Sequence, residues 1–193
     1  MLVLLDRDGV INEDTPTGVL KFEDFIFLPR AIEAIVKLTK AGFDIAVCTN
    51  QSAIGKGWTT HEIVHQVHDY LCDEVAKAGG KIGAIYYAPE GPGQLSTRRK
   101  PAPGMLREAM ENFGANPEQT PFVGDMIRDL DAAVNAGCPR ILVRTGKGAG
   151  IEAKGVPERC LPVVVVDDIL AAAEHIIATY RQSNLLALAP FSA

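Results

Sequence analysis

Six short apolar runs alternate with stretches of helical periodicity, and this alternation restricts the fold more than any other feature of the chain. The runs are Leu2–Leu5, Phe43–Cys48, Ala84–Tyr87, Pro121–Val123, Arg140–Val143 and Leu161–Val166. Strands joined by helical crossovers run parallel, because a tight turn can only reverse the chain. Leu2–Leu5 is apolar at every position, as a strand must be when helices cover both faces of its sheet. Pro29 opens a helix as its first residue, Ile32, Ile35, Val36 and Leu38 form its stripe, and Gly42 ends it. Thr59-Thr60-His61-Glu62 reads as a capping box for a second helix, stopped by Gly79-Gly80. Pro103 begins another, with Met105, Leu106, Ala109, Met110 and Phe113 facing the core. A short helix is expected over Leu130–Ala136, and Ile169, Leu170, Ala173, Ile176, Ile177 and Tyr180 stripe the last one. Residues 9–28 lack a period and predict loop with a small hairpin, and Glu90–Lys100 predicts a polar loop. The expectation is an α/β fold, a parallel sheet sandwiched between helices, in one domain over residues 1–193.

Composition narrows the function classes. Hydrophobic residues make up 47% of the chain and charged residues 22%, which excludes a disordered protein. A net charge of −5 weighs against a protein that wraps polynucleotide phosphates, while leaving room for a small basic pocket. No stretch approaches the roughly 18 apolar residues of a membrane span, so no membrane partner is expected. Asp6 cuts short the opening apolar run, which argues against a signal peptide. Cys48, Cys72, Cys138 and Cys160 lie far apart, with no Cys-x-x-Cys pair. They read as reduced, mostly buried thiols of a cytoplasmic protein.

The unusual polar residues fall just after the strands. In an open parallel sheet a ligand sits beyond the carboxyl ends of the strands, so separate segments should converge there. Asp6-Arg7-Asp8-Gly9 places two carboxylates on one side of an extended chain. Such anions resist joint ionisation unless a cation joins them, and Mg²⁺ suits oxygen ligands and phosphates best. An acidic turn would account for this motif taken alone. Gly124-Asp125 adds a third carboxylate at the same edge, and Asp129 a fourth, with helix capping an alternative role for either aspartate. Thr49-Asn50-Gln51-Ser52 offers a hydroxyl and successive amides to a phosphoryl group, although an ordinary loop could carry the same residues. Arg98-Arg99-Lys100 is the one dense cationic cluster, and it precedes a helix start that would help hold an anion.

With these four segments in order, the chain resembles the haloacid dehalogenase superfamily of aspartate-nucleophile phosphatases, over residues 2 to 145. A finer resemblance, to the D-glycero-D-manno-heptose 1,7-bisphosphate and histidinol-phosphate phosphatases, rests on three stretches. These are Asp6-Arg7-Asp8-Gly9-Val10-Ile11-Asn12, Thr49-Asn50-Gln51-Ser52, and Arg99-Lys100-Pro101 with Pro103-Gly104-Met105. The resemblance implies a Rossmann-like sheet and a phosphomonoesterase with an aspartyl-phosphate intermediate. It makes Asp6 the nucleophile and Asp8 the general acid and base. It assigns Thr49 and Lys100 to the phosphoryl oxygens, and Mg²⁺ to the Asp6 carboxylate, the Asp8 backbone carbonyl and Asp125. Asp14, Thr15, Pro16, Thr17, Asn50, Gln51, Ser52 and Arg99 would meet the rest of the substrate. The intervals from Asp6 to Thr49 and from Thr49 to Lys100 are filled by assigned secondary structure, which leaves no room for a large cap.

Relatives often carry a Cys-x-His…Cys-x-Cys zinc loop before Arg-Lys-Pro. Here Ala88-Pro89-Glu90 through Ser96-Thr97-Arg98 supplies none of those ligands, so no structural zinc is expected. His61, His65 and His68 share a helical face and are expected to be solvated, opposite Ile63, Val67, Tyr70 and Leu71. Gly146-Lys147-Gly148-Ala149-Gly150 matches no nucleotide-binding pattern and reads as a flexible loop. The apolar tail over 183–193 is expected to dock on the domain or a neighbour. The leading expectation is a phosphatase of a small phosphorylated metabolite, with heptose 1,7-bisphosphate first and no nucleic-acid partner, working as a monomer. Histidinol phosphate, another sugar phosphate and a nucleic-acid 3′-phosphate are alternatives. A silent phosphate-binding module is the alternative of another class.

Overall fold

The structure is a computed structural model that describes residues 1–187, with side chains through residue 180. Its frame is one six-stranded sheet: β1 (Leu2–Leu5), β2 (Asp44–Asn50), β3 (Ala84–Ala88), β4 (Phe122–Gly124), β5 (Arg140–Val143) and β6 (Val164–Val166). All neighbouring strands pair in parallel, in the order β3-β2-β1-β4-β5-β6. The first strand therefore lies at the centre, and the winding reverses beside it, where a doubly wound sheet opens a crevice. Leu5 is level with both Val47 and Val123. Register thus brings the ends of β1, β2 and β4 out together.

Among the described residues seven helices cover the sheet: α1 (Ala31–Lys40), α2 (Ser52–Gly55), α3 (His61–Lys77), α4 (Gly104–Phe113), α5 (Ile127–Ala136), α6 (Gly148–Lys154) and α7 (Ile169–Ala187). Alternate residues of β1 feed opposite cores, as the period of two requires. Val3 and Leu5 pack with Ile35 and Leu38 of α1, Leu71 of α3 and Ile176 of α7. Leu2 and Leu4 pack with Met105 and Leu106 of α4 and Ala133 of α5. Each fully buried leucine or isoleucine contributes about 1.5–3 kcal/mol relative to exposure. No helix among the described residues is long and apolar enough to cross a membrane. No separate module interrupts the alternation of strand and helix in these residues.

Several elements depart from expectation. The hairpin within 9–28 contracts to one antiparallel bridge between Asn12 and Phe27 and a 3-10 turn at Phe22–Asp24. The Arg7 carbonyl accepts the amides of Val10, Ile11 and Asn12, which curls the chain before a strand can extend. Helix α5 starts three residues before its apolar stripe, because the Asp129 carboxylate accepts the Met126 amide at 2.9 Å. The cap of α3 is Thr60, which accepts from the Ile63 amide, while the Thr59 hydroxyl donates to the Leu20 carbonyl instead. The stretch after β5 is no loop: Gly148 to Lys154 form α6. Its glycines, poor helix formers, hid it. The tail expected over 183–193 lies outside the residues whose side chains are described.

Candidate active site

Asp6 follows β1, Asp125 follows β4, and Thr49 is the last residue but one of β2, so the level strand ends place all three at one edge of the sheet. One oxygen from each of Asp6, Asp125 and Asp129 lies within 4.8 Å of the others. All three residues are buried. Lys100 reaches this cluster from the loop before α4. Its Nζ stands 2.8 Å from Asp6 Oδ1 and 2.7 Å from Asp129 Oδ1. Asn50 fixes the lysine's backbone from both sides, its Oδ1 accepting the Lys100 amide and its Nδ2 donating to the Lys100 carbonyl, each at 3.0 Å.

Even with the Arg128 guanidinium beside them, three close carboxylates around one ammonium leave the cluster short of positive charge. Burial, then the Asp129 charge, push the Asp6 carboxyl up to about 7, although Lys100 pulls the other way. Burial, then Asp129 and Asp6, push Asp125 up to about 8. Burial lowers the proton affinity of Lys100, but Asp129 and Asp6 outweigh it and hold its pKa above the ordinary value. Asp125 Oδ2 accepts the Lys147 amide at 2.9 Å, while its buried Oδ1 has no hydrogen-bond partner among the described residues. A buried acceptor without a donor, inside an all-oxygen cluster short of positive charge, fits a hard divalent cation.

Two glycines wall in Asp125. Gly9 has φ +81° and Gly146 φ +58°, and a Cβ on either would run into the Asp125 carboxylate. The Thr145 hydroxyl donates to the Gly9 carbonyl at 2.7 Å and ties the two walls together. The Gly146-Lys147 segment is therefore part of the site, which its reading as a flexible loop missed.

Asp8 sits in a different environment from Asp6. Arg7 Nη2 donates to its two oxygens at 2.9 and 3.1 Å, Asn12 Nδ2 to Oδ1 at 2.9 Å, and Gln51 Nε2 to Oδ2 at 2.8 Å. Burial favours the protonated form, but the Arg7 guanidinium and the hydrogen bonds outweigh it and hold the pKa below its ordinary value. Two residues apart, one carboxylate is pressed toward its acid and the other toward its anion.

Above this floor opens a cleft of about 310 Å³. Asp8, Asp14, Thr15, Pro16, Thr17, Asn50, Gln51, Ser52 and Arg99 line it. Asp6, Thr49, Lys100 and Asp125 lie beneath it, each no more than 2% exposed. Thr49 Oγ1 accepts from Gln51 Nε2 at 2.9 Å, and Arg99 donates to the Glu90 carbonyl at 2.8 Å. Sequence reading missed Lys56, Met126, Arg128 and Lys147, which also line the cleft. Lys147 follows β5, so the strand-end rule applied to that strand too would have found it.

His61 Nδ1 and His65 Nε2 each lie 2.9 Å from the exposed Tyr87 hydroxyl. His68 is not solvated: it is 7% exposed, beside Arg7. The buried stripe of α3 is Val64, Val67, His68, Leu71 and Val75, so the histidine continues the apolar face rather than opposing it.

Comparison with known proteins agrees with this geometry. A family model described as polynucleotide kinase 3 phosphatase matches residues 5–134, and a HAD-hydrolase-like model matches residues 97–172. The D-glycero-β-D-manno-heptose-1,7-bisphosphate 7-phosphatase of Pseudomonas aeruginosa is 42% identical over 91% of this chain and 97% of that protein. The Bordetella bronchiseptica enzyme of the same name is 37% identical over 91% and 97%. A crystal structure of D,D-heptose 1,7-bisphosphate phosphatase from B. bronchiseptica, complexed with magnesium and phosphate, superposes with a TM-score of 0.87, covering 92% of this chain and 98% of that one. The corresponding Burkholderia thailandensis structure is 34% identical, with a TM-score of 0.71 over 92% and 98%. The chain belongs to the haloacid dehalogenase superfamily of phosphatases, in the family of the D-glycero-D-manno-heptose-1,7-bisphosphate 7-phosphatases.

Proposed function

We propose that the protein is a Mg²⁺-dependent phosphomonoesterase that removes the 7-phosphate of D-glycero-D-manno-heptose 1,7-bisphosphate. The observation that carries this reading is the pairing of environments: a buried carboxylate cluster holding Lys100 beneath the cleft, and a separately clamped Asp8 on its wall. The Asp6 carboxylate, the Asp8 backbone carbonyl and Asp125 would hold Mg²⁺. Bound there, it supplies the missing positive charge and polarises a phosphoryl oxygen.

Asp6 attacks phosphorus, forming an Asp6–phosphorus bond as the bond to the leaving oxygen breaks. Asp8 delivers its proton to that oxygen. Arg7 and the two amides hold Asp8 ionised in the free protein, and an arriving phosphate dianion raises its proton affinity. Asp8 then takes a proton from the water that attacks the aspartyl-phosphate, which frees inorganic phosphate and restores Asp6. Thr49 and Lys100 hold the phosphoryl oxygens. One general acid or base is worth about 10²–10⁴ in rate, so fixed charge must contribute much of the remainder. Asp14, Thr15, Pro16, Thr17, Asn50, Gln51, Ser52 and Arg99 contact the sugar and its second phosphate.

The family model described by a polynucleotide phosphatase supports a second reading, a nucleic-acid 3′-phosphate substrate. The net charge of −5 and the absence of a basic track in the sequence favour a small metabolite. The net charge also weighs against a nucleic-acid partner, and we read the protein as a monomeric, cytoplasmic, single-domain enzyme without a membrane partner. A panel of heptose bisphosphate, histidinol phosphate, other sugar phosphates and a 3′-phosphorylated oligonucleotide tests the substrate. Heptose bisphosphate should be turned over with the highest kcat/KM, only with Mg²⁺, and an Asp6→Asn variant should be inert. Equal kcat/KM across the panel would remove the substrate assignment, and full activity of Asp6→Asn would remove the mechanism.

A further inference from the structure

We propose that His68 is a positioning residue for Asp8, acting through the buried guanidinium of Arg7. This rests on the phosphomonoesterase reading above and extends it from the cleft into the core.

The Arg7 side chain is fully buried, in the link between Asp6 and Asp8. A guanidinium is a planar fork with five N–H donors and no acceptor, so its direction is set by the acceptors around it. On one edge Nη2 meets the Asp8 oxygens and, at 3.1 Å, Gln51 Oε1; Nε reaches Asp8 Oδ1 at 3.3 Å. On the other edge Nη1 has, among the described residues, a single side-chain partner, His68 Nε2, at 3.1 Å. Phe25 flanks the guanidinium, 5.9 Å from its ring centre, and can limit tilt but cannot accept a directed in-plane bond.

The direction of that bond is fixed by chemistry. Arginine can only donate, so His68 must accept through Nε2, and the ring is neutral with its proton on Nδ1. Burial and the Arg7 charge act the same way, lowering the His68 pKa to about 3. His68 is carried on α3, whose Val64, Val67, Leu71 and Val75 are anchored in the core. A rigid helix thus holds the far edge of the guanidinium, and the near edge holds Asp8. Asp8 has to meet a leaving oxygen and later a water at one place, where a displacement of about 1 Å can cost about a hundredfold in rate.

This role predicts a selective defect. A misplaced general acid slows esters whose leaving group needs a proton and spares those whose leaving group departs as a stable anion. Replacing His68 by Leu or Met removes the acceptor while keeping an apolar side chain on the buried stripe. Either variant should lose about tenfold or more in kcat/KM toward an alkyl or sugar phosphate, but less than about threefold in kcat/KM toward p-nitrophenyl phosphate, because kcat/KM reports the departure of the leaving group and not the hydrolysis of the aspartyl-phosphate that both esters share. His68→Gln retains a side-chain acceptor and should recover most of the difference between the two esters. Equal losses on both esters, or none, would overturn the proposal. The parent's Mg²⁺-dependent turnover of p-nitrophenyl phosphate tests the phosphatase reading separately. A measurement on the unaltered protein stands apart from any folding defect: the ¹⁵N spectrum of histidine-labelled enzyme should show His68 protonated on Nδ1 and bare on Nε2. A proton on Nε2 would place donor against donor and also overturn it.

Discussion

Lys100 carries the residue-scale logic of this site. It is 2% exposed and 2.7–2.8 Å from two carboxylates, so neither partner has water as an alternative. Removing one member of a buried ion pair leaves an uncompensated charge, at a cost of about 3–5 kcal/mol. Lys100→Met should therefore lower the urea stability of the metal-free protein by that order and abolish phosphatase activity. Saturating Mg²⁺ should restore part of the stability and none of the activity, because the cation replaces charge but not the lysine's contact with the phosphoryl group. A variant as stable as the parent without metal would show that the cluster is protonated rather than bridged. Asp129, next to it, has two partners: it caps α5 through the Met126 amide and pairs with Lys100 at once. No spacing rule reveals such double use, because its two partners lie on different elements.

At the scale of elements, what was legible followed from periodicity. The six strands were found because apolar runs of β-branched residues differ sharply from the amphipathic stretches between them. Asp6, Thr49 and Asp125 stand out in the sequence because each comes at or just after the end of such a run. The segment after β5 was not, since Gly146, Gly148 and Gly150 carry no periodic signal and mask a helix. Their function is spatial: Gly146 lets the chain pass against Asp125 while Lys147 donates its amide. His68 escaped for a related reason. A polar residue on the edge of an apolar stripe looks like the start of the solvated face until its buried partner, Arg7, is known. Gly146→Ala tests the glycine's purpose. At φ +58° a Cβ costs about 1–2 kcal/mol in backbone strain, and it also meets the Asp125 carboxylate. The variant should still fold, with its Mg²⁺ affinity weakened about tenfold or more, read by calorimetric titration. Unchanged affinity would assign the glycine to the turn alone.

The molecule as a whole concentrates opposite charges at one edge of its sheet, and this makes stability depend on pH in two directions. Asp6 and Asp125, raised to about 7 and about 8, keep protons that the unfolded chain releases near pH 4. Their contribution is greatest in acid and is lost as pH rises through those values, because ionising them in place is unfavourable. His68, lowered to about 3, acts oppositely: the unfolded chain takes up its proton below about pH 6.5, so its contribution is lost as pH falls toward 3. Metal-free protein should accordingly be most stable at mildly acidic pH and should soften toward pH 8. Mg²⁺ competes with the protons on Asp6 and Asp125, so its binding releases them and tightens as pH rises. At a fixed Mg²⁺ concentration the increase in Tm should thus be clearly larger at pH 8 than at pH 5.5. Proton release on binding should appear as a dependence of the binding heat on buffer ionisation enthalpy. Equal Tm increases at the two pH values would mean that the ion sits away from these carboxylates. A larger increase with pH would place it where the topology brings β1 and β4 out side by side, with Asp125 Oδ1 as the open ligand.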